Sequence, residues 1–361
     1  MAKLKEVCTF YSGTGFPTKY QGNDEGEYAF YKVSDIANNV QLGNTYLSVC
    51  NNYISGEIAK EIKGCILPKD TVVFAKIGEA VKLNRRAITS ADCLIDNNAM
   101  GLAPIQDKLR LDYFFYYMRN LKMEKLAEST TVPSVRKSLL EELEIKVPSL
   151  EEQKEIGEIL DKVSVVIQTR KQEIEQLDLL IKARFVEMFY EKGYPVLKWN
   201  DVFITTTGKL DSNASVEKGA YPFFTCSKEL LRIDTYAFDQ EALLLAGNNA
   251  AGKYDVKYYA GKFNAYQRTY VLSLKENWSY RLFQYQLEDK LEYLQQQSLG
   301  GLTKYLTLKI LGELEFVIPP EELQSEFEIF VTQVTKSKVA VQKALNETQI
   351  LFDSLMQEYF G

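Results

Sequence analysis

The chain of 361 residues contains no histidine. This absence excludes Ser-His and Cys-His nucleophilic pairs, acid-base catalysis by imidazole, and nearly all common zinc and iron sites. Carboxylate-and-metal chemistry stays open in principle. However, the sequence shows no convincing carboxylate-lysine set of a nuclease and no N-P-P-Y or D-P-P-Y methyltransferase box. We therefore expect a chain that does no chemistry of its own and holds no metal.

Cysteine is sparse, and its five residues never form a C-x-x-C pair. The odd number and wide scatter of Cys8, Cys50, Cys65, Cys93 and Cys226 predict reduced, buried thiols rather than a disulfide framework or a zinc site. Long apolar runs are also lacking, because the longest aliphatic run, 242–246, is far too short to span a bilayer. The first residues contain no signal-peptide core. We expect a cytoplasmic protein without a membrane partner.

The chain lacks the overall basic charge that is typical of a nucleic-acid-binding protein, since its net charge is −6. The acidity is confined to residues 149–191, with 6 basic and 10 acidic residues, and residues 320–361, with 3 and 7. Residues 1–148 hold 19 basic and 18 acidic residues, and residues 192–319 hold 15 and 14. The two larger segments are therefore free to present local basic faces.

The two acidic segments carry the same heptad pattern. Apolar residues alternate at spacings of four and three, interrupted by Arg170 and Arg184, and the pattern returns in register 171 positions later. This spacing predicts two long amphipathic helices that form a coiled-coil seam. The predicted seam residues are Ile156, Leu160, Val163, Ile167, Ile174, Leu177, Ile181, Phe327, Val331, Val334, Val341, Leu345 and Phe352.

The repeat extends beyond the helices, because a helical stretch at 111–125 corresponds to 280–294 and a strand-like stretch at 143–148 returns at 314–319. The chain thus contains two copies of one plan, a globular α/β module followed by a long helix. We predict modules at 1–148 and 192–319, and helices at 149–191 and 320–361. Equal helices can pair antiparallel, with a pseudo-two-fold axis and a module at each end. A parallel pair would bring both modules to one end, and we favour the antiparallel pair.

Basic and amide side chains gather at corresponding places in the two modules. Arginine and lysine can neutralise phosphate or pair with guanine, and asparagine and glutamine can form two hydrogen bonds to adenine. A plain solvated surface would have the same composition, but the recurrence favours DNA binding. The predicted DNA-binding residues are Lys76, Lys82, Asn84, Arg85, Arg86, Asn97, Asn98, Asn248, Asn249, Lys253, Gln267 and Arg268.

Two further motifs allow more than one interpretation. The stretch 247–254 nearly matches the phosphate-binding loop G-x-x-x-x-G-K followed by Ser or Thr, but it ends in Tyr254 and is followed by a strand-like stretch where that motif needs a helix. We favour a Gly/Asn-rich loop that exposes Lys253 to DNA. The aromatic residues at 113–117 could stack on bases, but their helical setting and the matching Phe283 and Tyr285 favour core packing.

These features resemble the specificity (S) subunit of type I restriction-modification systems. The most specific parts are V-P-S-L-E-E-Q at 147–153 with its echo I-P-P-E-E-L-Q at 318–324, and the helix ends F-V-E-M-F at 185–189 and L-M-Q-E-Y-F at 355–360. Y-K-V-S-D-I at 31–36 and K-F-N-A-Y-Q-R at 262–268 are also similar to that family. The second copy departs from the pattern because it lacks the full L-E-E-Q.

The resemblance implies that each module is a target recognition domain that reads one half of a bipartite site in double-stranded DNA, while the paired helices set the spacer. It further implies that two modification (methyltransferase) subunits dock on the helices and recognition domains, bind S-adenosylmethionine and methylate adenine. A restriction subunit with translocase and endonuclease activity is a further partner that it allows. The cofactor belongs to the partner, so none is expected on this chain. A protein-binding coiled-coil scaffold and a nucleotide-binding enzyme are the alternative hypotheses.

Overall fold

The computed structural model describes residues 1–127, 132–249, 252–301 and 303–361, and the elements below lie in these ranges. The chain forms two compact units. The first comprises Met1–Gln172 and Gln342–Gly361, and the second comprises Glu173–Val341. Each unit therefore contains one globular module together with part of each long helix. Both long helices therefore contribute residues to both units.

The first module consists of short strands and helices that lead into one long helix. They are β1 (Ala2–Lys3), α1 (Leu4–Val7), β2 (Cys8–Ser12), β3 (Tyr28–Tyr31), α2 (Val33–Gln41), β4 (Tyr53–Ile54), α3 (Gly56–Glu61), β5 (Val72–Ala75), β6 (Arg86–Ile88), β7 (Cys93–Ile95), β8 (Ala99–Pro104), α4 (Leu111–Asn120), α5 (Lys137–Glu141), β9 (Glu144–Ile145) and α6 (Leu150–Phe189). One sheet has the order β2-β8-β5-β6, a second has the order β4-β3-β7, and β1 pairs with β9. Val73 and Ile95, one from each larger sheet, are fully buried in a common core.

The second module follows the same plan. Its elements are β10 (Val196–Lys198), α7 (Trp199–Val202), β11 (Phe203–Thr207), β12 (Tyr221–Phe224), β13 (Leu231–Ile233), β14 (Phe238–Ala246), β15 (Asn248–Asn249), β16 (Val256–Ala265), β17 (Thr269–Leu274), α8 (Tyr280–Asp289), α9 (Leu291–Gln297), β18 (Lys304–Tyr305), α10 (Leu308–Gly312), β19 (Glu315–Val317) and α11 (Glu321–Phe360). A six-stranded sheet has the order β11-β17-β14-β16-β12-β13, and β10-β19 and β15-β18 form pairs. Trp199, Phe283 and Phe316 are fully buried in the core.

The pairing of the strands shows how the two modules correspond. Strand β14 pairs antiparallel with β16 as β5 pairs with β6, and β12 pairs in parallel with the end of β16 as β3 pairs with β7. The 10-residue strand β16 therefore takes the place of both β6 and β7. This continuity joins the two larger sheets of the first module into one sheet in the second.

The two long helices run antiparallel. In the second unit, Nζ of Lys338 lies 2.6 Å from Oδ1 of Asp178, and Arg184 pairs with Glu326 at 2.5 Å. Later residues of α6 thus meet earlier residues of α11. In the first unit, Arg170 donates to the carbonyl oxygen of Ala344 and to the hydroxyl of Thr348 in α11. The predicted antiparallel coiled coil is confirmed.

The helix face that carries the heptad pattern points inward. Every predicted seam residue is buried or half-buried, and Leu160 and Phe327 are fully buried. The ends of the helices also pack on the modules: Phe360 lies 5.0 Å from the ring of Tyr113 in α4, and Phe189 clusters with Leu282 in α8. The aromatic residues at 113–117 therefore belong to the packed interior, as the core-packing interpretation predicted.

All five cysteines are free thiols, with Cys8 and Cys93 buried and the others half-buried. Burial raises the pKa of the Cys8 thiol to about 12, so it stays protonated at neutral pH. Among the described residues, no helix combines the length and the apolar character that crossing a membrane requires.

Candidate nucleic-acid interface

In each module one exposed turn brings predicted DNA-binding residues together. In the first module, residues 96–98 connect β7 to β8, and Asn97 and Asn98 are exposed. In the second module, residues 266–268 connect β16 to β17, and Gln267 and Arg268 are exposed. Each turn follows a strand that pairs in parallel with its neighbour, so it lies at the carboxyl edge of that parallel pair.

The two turns have the same backbone hydrogen bonds. In the first turn, the N–H groups of Asp96, Ala99 and Lys76 donate to the carbonyl oxygens of Tyr31 (3.0 Å), Asp96 (3.0 Å) and Asn98 (2.8 Å). In the second turn, the N–H groups of Tyr266, Thr269 and Gly247 donate in the same order to the carbonyl oxygens of Phe224 (2.9 Å), Tyr266 (2.8 Å) and Arg268 (2.9 Å). These bonds make Asn97 equivalent to Gln267, and Asn98 equivalent to Arg268. The modules therefore present different side chains from one backbone frame.

A glycine allows each turn to lie directly against another stretch of chain. A Cβ atom at Gly13 would lie 1.7 Å from the carbonyl oxygen of Asp96, and one at Gly208 would lie 1.8 Å from that of Ala265. Because any larger residue would clash with backbone there, the close approach depends on glycine. The turn backbone is thus supported on this side as well as by its neighbouring strands.

The side chains on the turns have hydrogen-bonding capacity to spare. Among the described residues, the side chains of Asn97, Asn98 and Arg268 make no hydrogen bond, ion pair or ring contact. The amide of Gln267 makes one long hydrogen bond, 3.4 Å to Oδ2 of Asp211. These groups are therefore available to a ligand that offers both donors and acceptors, as base edges do.

The other predicted residues of the second module lie in the loop after β14. Asn248 and Asn249 form β15, which pairs with Tyr305 and Lys304, and Lys253 is exposed, with its backbone N–H 3.3 Å from Oδ1 of Asn249. Ala250 and Ala251, in the middle of this stretch, lie outside the described residues. Strand β16 begins where a phosphate-binding loop would need a helix, which confirms the prediction of a strand.

The structure places Arg86, a predicted DNA contact, inside the fold. Its side chain donates to the carbonyl oxygen of Arg85 at 2.8 Å and to Oδ1 of Asn84 at 2.8 Å, and lies 5.0 Å over the ring of Phe74. Arg86 is only 5% exposed, and this burial lowers its pKa to about 9. Arg86 therefore acts inside the fold, because all three residues of β6 are buried.

Asn84, another predicted DNA contact, also has an internal role. Its Nδ2 donates to the carbonyl oxygen of Arg119 at 3.1 Å, and its Oδ1 accepts from Arg86. Asn84 has a φ of 51°, a left-handed conformation that asparagine tolerates. Together these contacts fasten the loop to the end of α4. Of the neighbouring residues, Lys82 is exposed and pairs with Glu79 at 2.9 Å, and Arg85 is half-buried.

Lys76 and Lys32 lie beside the first turn. Lys76 directly follows β5 and is hydrogen-bonded through its backbone to Asn98. Lys32 directly follows β3, and the next N–H, that of Val33, donates to Oδ2 of Asp96 at 3.2 Å. Lys32 was not among the residues predicted from composition, and its Nζ donates to Oε1 of Gln21. The rule that parallel strands end at one edge could have found it, because β3 lies parallel to β7.

The long helices expose apolar residues outside the seam. Leu179 and Leu180 of α6 are 55% and 47% exposed, and Ile350 and Leu351 of α11 are 67% and 51% exposed. The two pairs are 171 positions apart, so they occupy the same place in the two copies. A two-helix coiled coil is stable with polar residues outside its seam. The duplicated apolar pairs are therefore a candidate surface for two copies of one partner.

Residues 1–179 and 191–348 match the model of the type I restriction modification DNA specificity domain, once in each copy. The chain belongs to this family. It is 34% identical over 145 residues to the EcoDI type I restriction enzyme specificity subunit of Escherichia coli, covering 38% of this chain and 31% of that protein. It is 23% identical over 193 residues to the MjaIX specificity subunit of Methanocaldococcus jannaschii, covering 52% and 43%. The chain thus matches less than half the length of these relatives.

Solved structures show the same fold. The S subunit of a type I restriction-modification system from M. genitalium superimposes with a TM-score of 0.61 at 16% identity, over 100% of this chain and 95% of that one. A chain from a study of complex assembly and conformational transition in the type I system gives a TM-score of 0.54 at 16% identity, over 99% and 96%. These two chains therefore share the fold described above.

Proposed function

We propose that this chain is the DNA-recognition subunit of a type I restriction-modification complex and performs no catalysis itself. The observation that carries the proposal is the pair of equivalent turns, which present Asn97 and Asn98 in one module and Gln267 and Arg268 in the other. One backbone frame with two sets of exposed groups suits a reader of two different half-sites. The target is then an asymmetric, bipartite sequence in double-stranded DNA.

The charge distribution supports DNA binding by the modules rather than by the helices. Each long helix begins with two glutamates, Glu151 and Glu152 in α6 and Glu321 and Glu322 in α11. DNA phosphates would be repelled by such faces. The helices are better suited to set the spacer between half-sites and to bind protein.

The duplicated apolar pairs support two modification (methyltransferase) subunits as partners, one for each copy. S-adenosylmethionine then belongs to those subunits, and a restriction subunit is a further partner that the assembly allows. Such a complex works on DNA in the cytoplasm. Among the described residues, no cluster of histidine, cysteine and acidic side chains is arranged to hold a metal ion.

The test is co-expression of the chain with a type I modification subunit, followed by sequencing of methylated adenines in the host DNA. We expect methylation at one split, asymmetric sequence. A second strain carries Leu179→Ser, Leu180→Ser, Ile350→Ser and Leu351→Ser, and we expect it to lose both methylation and co-purification of the modification subunit.

The matched control is Val339→Ser, because Val339 is 65% exposed on α11 but is not duplicated in α6. This variant should keep methylation and complex formation. A complex that forms but binds no DNA would instead favour the protein-binding scaffold. ATP binding that is lost in Lys253→Ala would favour the nucleotide-binding enzyme.

A further inference from the structure

We infer that position 98 of the first module and position 268 of the second each choose one base pair of their half-site, with Asn98 reading adenine and Arg268 reading guanine. This inference rests on the proposed function and adds to it the residues and the bases. It depends on three properties of the turns: the same backbone, free side chains and different chemistry.

The shared backbone gives the two side chains the same starting point. The carbonyl oxygen of Asn98 accepts from Lys76, and that of Arg268 accepts from Gly247, at 2.8 and 2.9 Å. The residues that donate these bonds, Lys76 and Gly247, are also equivalent. The carbonyl oxygen of Lys76 accepts from the N–H of Val135, and that of Gly247 accepts from the N–H of Leu306, both at 2.8 Å. A difference in base preference between the modules must then come from the side chains.

The guanidinium of Arg268 is unusual in this chain because it is exposed and, within the described ranges, makes no hydrogen bond, ion pair or ring contact. Most other arginines are held by internal groups, namely Arg86 by Asn84, Arg110 by Asp112, Arg170 by Thr348, Arg184 by Glu187, Arg232 by the carbonyl of Gly219, and Arg281 by Gln284. A planar guanidinium with open donors matches O6 and N7 of guanine. Its supported backbone reduces the entropy lost on binding.

Asn98 presents a different set of hydrogen-bond donors and acceptors from the equivalent position of its turn. Its backbone N–H is held by Oδ1 of Asp96 at 2.8 Å, which braces the turn, while its side-chain amide is free among the described residues. One donor and one acceptor match N7 and the N6 amino group of adenine. Lys76, next to this turn, can contact a neighbouring phosphate without choosing a base.

The experiment uses the full chain in complex with its modification subunit and measures binding to the methylated sequence and to duplexes with each base pair changed in turn. We expect Arg268→Ala to reduce the preference for guanine at one position of one half-site by roughly tenfold or more. The other half-site should be unchanged. Asn98→Ala should have the same effect on one adenine of that other half-site.

Arg268→Asn is the sharper variant, because it should move the preference at that position from guanine to adenine. Arg232→Ala is the control, since Arg232 lies on β13 outside the turns and donates to the carbonyl oxygen of Gly219, so this variant should keep every preference. Thermal unfolding of each complex checks that the variants fold.

Uniform weakening on all duplexes by Arg268→Ala would identify a phosphate contact and overturn the assignment. An unchanged preference at every position would overturn it as well. In both cases a wild-type complex that still prefers a split sequence would leave the proposed function standing. A wild-type complex with no sequence preference would overturn both.

Discussion

Gln153 lies in the first turn of α6, and its Oε1 accepts a hydrogen bond from the backbone N–H of Arg110, just before α4, at 2.8 Å. Its Nε2 donates to the carbonyl oxygens of Lys108 and Pro148 at 3.0 and 2.9 Å. The side chain is fully buried. One amide therefore ties the long helix to the module helix.

The second copy has the same tie. Oε1 of Gln324 accepts from the N–H of Ser279 at 3.0 Å, and its Nε2 donates to the carbonyl oxygen of Pro319 at 2.8 Å. This explains why E-E-Q at 151–153 returns as E-L-Q at 322–324. The glutamine is fixed by buried hydrogen bonds, whereas Leu323 in place of Glu152 only changes a side chain outside that tie.

Replacing Gln153 by alanine should lower the free energy of unfolding by about 2–3 kcal/mol, because partly buried backbone groups of Arg110, Lys108 and Pro148 would lose their partner. Urea unfolding of the full chain measures this. The control is Gln172→Ala, an exposed glutamine of the same helix, which should change stability by less than about 0.5 kcal/mol. Equal effects of the two substitutions would contradict the structural role of Gln153.

The helices could be predicted from the sequence because a heptad pattern is local. The polar interruption Arg170 also finds its explanation in the structure, since it meets Thr348, itself a polar residue in the seam of α11. Arg86 could not be placed in this way. Its burial depends on the ring of Phe74 in another strand and on the carbonyl oxygen of Leu121 at 3.4 Å, and no local pattern reports such distant contacts.

The recognition turns could be predicted only in part. Composition found Asn97, Asn98, Gln267 and Arg268, because amide and basic residues stand close together in the sequence. It did not show which residues are equivalent. The equivalence of these residues became visible only from the hydrogen bonds of the turns, which join strands far apart in the chain. It also depends on the observation that β16 takes the place of both β6 and β7.

Arg86→Ala should lower the free energy of unfolding by about 2–4 kcal/mol, since it removes three hydrogen bonds and leaves space under Phe74. Arg85→Ala, one residue earlier and half-buried, should cost less than about 1 kcal/mol. Urea unfolding compares the two. If Arg86→Ala were as stable as wild type but bound DNA more weakly, its assignment to the interior would be wrong.

Leu160→Ala should lower the free energy of unfolding by about 2–5 kcal/mol, because Leu160 is fully buried in the seam. Val165 lies five residues further along α6 and is exposed on the opposite face, so Val165→Ala should change it by less than about 0.5 kcal/mol. Thermal unfolding of the two variants under the same conditions measures both losses of stability. Similar losses from both would mean that the heptad pattern does not mark the contact between the helices.

The stability of the second unit should fall at alkaline pH through Tyr285. Burial raises the pKa of its phenol to about 12, and Asp289 and Glu288 add to the effect. Between pH 10 and 12 the unfolded chain releases this proton while the folded chain keeps it. The folded state then binds more protons, so the free energy of unfolding falls as pH rises through this window, while the full contribution is present below pH 10.

Tyr285→Phe removes the titrating proton but keeps the ring, which lies 4.7 Å from Phe185 and 5.8 Å from Phe327. The variant should therefore melt near the wild-type temperature at pH 8 and lose less stability between pH 10 and 12. The control is Tyr293→Phe, because Tyr293 is exposed, and its melting temperature should follow the wild-type curve. Parallel curves for all three proteins would show that the buried phenol of Tyr285 does not contribute to alkaline unfolding.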